Sequence, residues 1–189
     1  MKNHILRFIL VLLSLLTGCT TMSRVPSDYK PLTNNEEYLY KKYDQFQDVS
    51  FVRHYEFFGL FGSLPIEIYD VNKRILRIVF TYWGNDWIFF DKAIIINSNG
   101  GRKIFSIEYF NKKTNIDGSF VTETIDMYLP SKDTDDILAI ISRPGLIKIR
   151  LTGEYSRDYE LSPEKVKALI DVIKYNRKQE TDQPVTIIR

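Results

Sequence analysis

The segment LIKIRLT, at residues 146–152, sets Ile147, Ile149 and Leu151 against Lys148, Arg150 and Thr152 with a strict period of two. An extended strand with one dry face and one wet face satisfies that pattern. Similar chemistry recurs upstream. RILRIVFTYW at 74–83 and WIFFDKAIIIN at 87–97 are β-branched and aromatic runs, separated by GND at 84–86. Turn residues between two such runs predict a hairpin with Trp83 and Trp87 at its tip. SNGG at 98–101 leads into KIFSIEYF at 103–110, where Phe105, Ile107 and Tyr109 alternate with Ser106 and Glu108. NIDG at 115–118 precedes FVTETIDMYL at 120–129. These runs predict an antiparallel meander.

Helical spacing interrupts the strands in three places. Leu39, Tyr43 and Phe46, after Asn34 or Asn35 as cap and Glu36 and Glu37 in the first turn, predict a short helix. TDDILAIIS at 134–142, capped by Thr134 and ended by RPG at 143–145, predicts a second. SPEKVKALIDVIKYNRK at 162–178 is the strongest. Ser162 is its cap and Pro163 its first residue, and Val166, Leu169, Ile170 and Ile173 share one face. Lys174, Arg177 and Lys178 suit its negative end. Strands followed by segregated helices predict an α+β domain: a meander of about five to seven strands with helices, including a C-terminal one, on one face. The opposite face carries Arg77, Glu108, Asp126, Lys148 and Arg150, expected as solvated cross-strand pairs. A hydrophobic fraction of 44% in 189 residues provides for one packed domain and argues against disorder.

The N-terminus obeys different rules. Residues 1–19, MKNHILRFILVLLSLLTGC, run from Lys2 and Arg7 through an apolar stretch from Phe8 to Leu16 into small residues and the single cysteine. That is the layout of a secretory signal, and its apolar run falls short of the ~20 residues a bilayer span requires. Leu16-Thr17-Gly18-Cys19 resembles the lipobox of bacterial lipoproteins. The resemblance implies cleavage between Gly18 and Cys19, a thioether-linked lipid on Cys19 and an acylated N-terminus carrying more than one chain. Thr20 stands where an Asp would resemble an inner-membrane retention signal, so in a Gram-negative cell the resemblance implies the outer membrane, with the domain facing the periplasm. The organisation expected is a signal peptide at 1–18, a flexible tether at 19–35, a domain at 36–180 and a tail at 181–189. Once lipidated, Cys19 leaves the domain without a thiol, and its stability must come from its core.

Chemistry is sparse beyond that point. Of 26 Lys and Arg, Lys2 and Arg7 belong to the signal, and the remainder balance 24 Asp and Glu. A neutral domain has no electrostatic footprint for nucleic acid. His54 is the one histidine outside the signal, so neither a metal site nor a cofactor is expected. Ser162 matches S-x-x-K, but the partner motifs are missing and the helix cap accounts for it. Glu56, Glu123 and Asp91 lie among apolar residues. Glu123 alternates in phase with Val121, Ile125 and Met127 and therefore needs an internal partner, such as Arg77 or Arg150.

The expectation from sequence is a non-catalytic, lipid-anchored binding or accessory module for an envelope protein partner, immunity-type proteins included, with Trp83 and Trp87 as contact residues. The alternatives are a small-molecule or lipid carrier with a cavity beneath the sheet, and a carboxylate-based hydrolase using buried Glu123 or His54.

Overall fold

A computed structural model describes residues 25–32, 38–58, 64–108 and 112–181. Cys19, the lipobox and the tail at 182–189 lie outside the described residues, as does most of the expected tether. Among the described residues the chain forms eleven strands and two α-helices, so the α+β class is observed with more strands than expected. The strands form two fully antiparallel sheets. Sheet A has the order β1(Lys30–Pro31), β2(Leu39–Asp44), β3(Val49–His54), β4(Ile66–Val71), β5(Ile75–Gly84), β9(Phe120–Tyr128), β8(Lys112–Asp117). Sheet B has the order β11(Ser156–Glu160), β10(Ile147–Thr152), β6(Lys92–Asn97), β7(Arg102–Ser106). Helix α1 spans Ser131–Ile141 and α2 spans Pro163–Thr181.

The expected hairpin between 74–83 and 87–97 does not form. β5 pairs instead with β4 and β9, while β6 pairs with β7 and β10. Residues 85–91 carry the chain out of sheet A and into sheet B, and regular pairing resumes only at Lys92. Two sets of hydrogen bonds account for the diversion. The Tyr82 hydroxyl donates to the Asp86 carbonyl at 2.7 Å, and the amides of residues 88–90 point at Glu123 rather than at a strand. The SNGG turn does join β6 to β7 as expected.

The helix expected from the Leu39, Tyr43, Phe46 spacing is also overturned. Residues 39–44 are β2, paired along its length with β3, and Phe46 lies wholly exposed in the turn that follows. Leu39 and Tyr43 lie four apart, a spacing that puts them on one face of a strand as well as of a helix. A run this short gains more from a ladder than from an isolated helix. Within the expected tether, Lys30–Pro31 pair with Lys41 and Tyr40 of β2.

The core face of sheet A carries Val52, Ile66, Ile68, Leu76, Ile78, Phe80 and Ile125. Phe80 meets Phe105 of sheet B at 5.3 Å, joining the sheets. α2 covers β3, β4 and β5 with Leu169, Val172 and Ile173, and α1 packs on β6, β7 and α2. Both helices thus lie on the core side. Ser162 caps α2 as expected, its hydroxyl accepting the Lys165 N–H at 3.4 Å. α1 starts earlier than expected, with Pro130 as its cap position. Thr134 is buried one turn in, its hydroxyl donating to the Pro130 carbonyl.

Two buried polar pairs tie the layers together. Asp70 of β4 accepts from the Asn176 amide of α2 at 2.6 Å. The Asn97 amide of β6 donates to the carbonyls of Ile140 and Arg143, satisfying the C-terminal end of α1.

Candidate functional site

Sheet A has a second face, turned away from the helices, and it is grooved. On β5 the alternation that buries Ile78 and Phe80 turns Val79 and Thr81 outward, and on β9 it turns Thr122, Thr124 and Asp126 outward. Thr81 sits directly opposite Thr124. On β3 and β4 the same rule presents Phe51, Arg53, Glu67 and Tyr69. Phe57 and Phe58, from the 3-10 turn after β3, form one wall, and Pro26 and Tyr29 form part of another. Tyr29 meets Phe58 edge-on at 4.8 Å. The groove has a volume of about 750 Å³.

Its charges are matched. Arg53 grips Glu67 with two parallel N–H···O contacts, the bidentate geometry of a strong ion pair, and its guanidinium stacks 5.5 Å over Phe58. Burial works against the Arg53 charge, but Glu67 outweighs it and holds the guanidinium above its ordinary value. Burial pushes the Glu67 carboxyl up while Arg53 pulls it down. Asp126 accepts from Arg77 Nε at 2.7 Å and from the Tyr69 hydroxyl at 2.7 Å. Burial first, and the Asp126 bond second, raise the Tyr69 phenol. The groove therefore offers aromatic walls, a threonine floor and paired ions. It suits a ligand of mixed polar and apolar character rather than a strongly charged one.

Of the five outward charges expected on one face, four are paired, but on two different sheets, and Glu108 lies beyond the end of β7. Arg77 meets Asp126, Arg150 meets Asp158 at 2.6 Å and Lys148 meets Glu160 at 3.2 Å, the last two on the outer face of sheet B.

The two tryptophans are not brought together at a hairpin tip. Trp83 follows Val79 and Thr81 on the groove face of β5 and stacks on Phe120 at 4.4 Å, extending that face. Trp87 lies in the crossing segment, stacked on Phe89 at 5.8 Å, and lines a separate cavity of about 560 Å³ with Tyr82, Tyr155 and Arg157.

No family model, curated protein or solved structure matches the chain.

Glu123 proves to be a structural anchor. Fully buried, it accepts from the backbone amides of Ile88 and Phe89 at 2.8 Å each, from Phe90 at 3.2 Å and from Lys112 Nζ at 3.1 Å. Its partners are thus Lys112 and main chain, in place of Arg77 or Arg150. Arg77 points to the opposite face of the sheet, and Arg150 belongs to the outer face of sheet B.

His54 is also buried. Its Nδ1 accepts the Glu56 N–H at 3.1 Å, which leaves the proton on Nε2, 3.6 Å from Asp171. Burial lowers its pKa to about 4, against the raising effect of Asp171 and together with the lowering effect of Lys167. Neither Glu123 nor His54 lines the groove. Asp91 is exposed beside Lys92, and Glu56 contributes only its amide to the cap. Among the described residues no group of three or more His, Cys, Asp or Glu is placed to hold a metal ion.

Sequence reasoning found Arg77, Asp126 and Trp83 but missed Arg53, Glu67 and Tyr69. A signal is present: in PIEIYDV at 65–71, Glu67 and Tyr69 alternate with Ile66, Ile68 and Asp70, the pattern of a strand.

Proposed function

We propose that this protein is a lipid-anchored envelope protein, held at the outer membrane through Cys19, whose domain is a non-catalytic binding module for a protein partner. The groove face of sheet A is its docking surface. The observation that carries this reading is the groove itself. Half-buried aromatic rings and hydroxyls line it, while its charges are neutralised in place, as suits a surface that must be desolvated by a polypeptide. Trp83 on the same face supplies a large amphipathic contact. Glu123 and His54, the candidates named for hydrolysis, are buried away from the groove, which favours binding over hydrolysis.

Photocrosslinking in intact cells tests it. A photoreactive residue at Thr124, in the groove floor, is expected to trap a discrete protein, and one at Arg150, on the outer face of sheet B, is not. Trp83→Ala is expected to weaken the Thr124 adduct, and Trp87→Ala to leave it. Equal adducts at both positions, or none at Thr124, would reject the docking surface. Cys19→Ser is expected to release the protein from membranes.

A further inference from the structure

We infer that the turn between β2 and β3 is a second membrane contact, with the Phe46 side chain seated in the bilayer interface. The inference rests on the lipid anchor at Cys19 proposed above.

Phe46 is wholly exposed, and an exposed apolar residue alone is ordinary. Its presentation is not. Asp44 Oδ1 accepts the N–H of Phe46 at 2.9 Å and of Gln47 at 3.2 Å, while Asp48 takes the Tyr43 hydroxyl at 2.6 Å. Asp48 closes the turn in the left-handed region, at φ 52°. Both acids flanking Phe46 are occupied in fixing the turn, which holds the ring outward at a tip. Half-exposed Tyr43 stands beside it.

Position comes from strand register. β1 runs antiparallel to β2, with Lys30 opposite Lys41 and Pro31 opposite Tyr40. From Lys30 the chain runs back beside β2 into a turn at 26–29, closed by the Tyr29 N–H on the Pro26 carbonyl at 3.0 Å. Asp28 bonds Lys42 at 2.6 Å, and Pro26 lines the same groove as Asp44 and Gln47. The anchor side of the chain thus leaves the domain at the end that carries Phe46.

Length completes the argument. Five residues, 20–24, separate Cys19 from Val25. Even fully extended, that chain reaches no more than about 22 Å, whereas a domain of this size is about 40 Å across. The lipid therefore keeps the β2–β3 end near the bilayer whichever way the domain turns. Insertion is then intramolecular, at an effective concentration on the order of millimolar. Burying a phenylalanine ring favours the inserted state by at least roughly tenfold. The occupant of this patch is the lipid surface, entered by about 5–10 Å while the two acids remain among the headgroups. The groove, whose rim includes Asp44 and Gln47, then opens beside the membrane, where a partner would meet it.

The test uses the full lipidated chain, extracted from membranes and reconstituted in phosphatidylethanolamine–phosphatidylglycerol vesicles. Phe46→Trp is compared with wild type, whose native tryptophans supply the blank, in vesicles with and without lipids brominated near the headgroup end of their chains. The added tryptophan is expected to lose at least about half its emission to bromine, consistent with interfacial depth. If the protein floats with vesicles but that emission is unchanged by bromine, insertion is refuted while the anchor stands. If Cys19→Ser floats as well as wild type, the anchor itself is refuted, and the inference with it.

Discussion

Replacing Glu123 by Gln removes one charge and almost no volume, yet it should be among the most damaging single changes in the domain. Glutamine keeps one carbonyl oxygen, enough for the Ile88 and Phe89 amides. Those bonds become neutral and roughly half as strong, a loss of about 1–2 kcal/mol for the two. The second oxygen becomes an NH₂ that faces two donors, the Phe90 N–H and the Lys112 ammonium. A buried orphan amide costs about 1–3 kcal/mol, and breaking a buried ion pair from one side about 3–5 kcal/mol. These terms overlap because the same charge appears in each. Lys112, on an edge strand, can also relax outward, so the expected total is ~4 kcal/mol. For a domain of this size that is a fall in Tm of about 8–16 °C.

Urea unfolding of the Cys19→Ser form, followed by tryptophan emission, would read it. Lys112→Met alone should cost less, about 2 kcal/mol, because three amides still satisfy the carboxylate. The double variant should be no worse than Glu123→Gln alone, giving a coupling of at least about 1.5 kcal/mol. If Glu123→Gln lies within about 1 kcal/mol of wild type, or the two changes add, the stitching role assigned to this carboxylate is wrong.

The buried imidazole should make stability depend on pH. His54 is held neutral, with its pKa depressed from 6.5 to about 4, so its contribution is complete above 6.5 and is lost as pH falls toward 4. The loss should approach ~3 kcal/mol, and His54→Phe, which cannot titrate, should lack that component when the two unfolding curves are compared across the same pH range. Parallel curves would show that Asp171 compensates the charge. Asn97→Ala strips two donors from the end of α1 and one acceptor from the Asn99 amide, and should cost ~2–4 kcal/mol by chemical unfolding. A change below about 1 kcal/mol would mean that water replaces the amide there.

Much of the architecture could be read from residue patterns. Ile147–Thr152 and Phe120–Tyr128 declare themselves by alternation, and α2 by its Ser162-Pro163 start and its apolar stripe. Failures clustered where partner choice decides the outcome. A strand's own pattern shows which face is dry but not which strand lies beside it. GND therefore read as a hairpin turn, when Glu123, more than thirty residues downstream, redirects the chain. β2 failed for a related reason: Leu39 and Tyr43 satisfy both periods, and only pairing with β3 decides between them. β8 and β11 were missed because edge strands carry few apolar residues, their burial being almost entirely that of exposed positions. Arg77 and Asp126 were visible as outward charges. Glu67 was not, because its significance depends on Arg53, across a strand pair that had not been identified.

The Asp70–Asn176 bond spans 106 residues of chain, and it marks where α2 closes over β3, β4 and β5. A ribosome or a translocation channel delivers the N-terminal end first. Sheet A would then emerge with β5 lacking its β9 neighbour, and with Val52, Ile68 and Ile78 bare until the last helix arrives. Such non-local closure makes folding slow and leaves open strand edges and apolar faces exposed to aggregation in the interval. The final helix is thus a timer as well as a lid. Chains cut short before α2 should be consigned to degradation rather than to partial function, and any factor that shields nascent chains would find its substrate on the uncovered face of β3–β5.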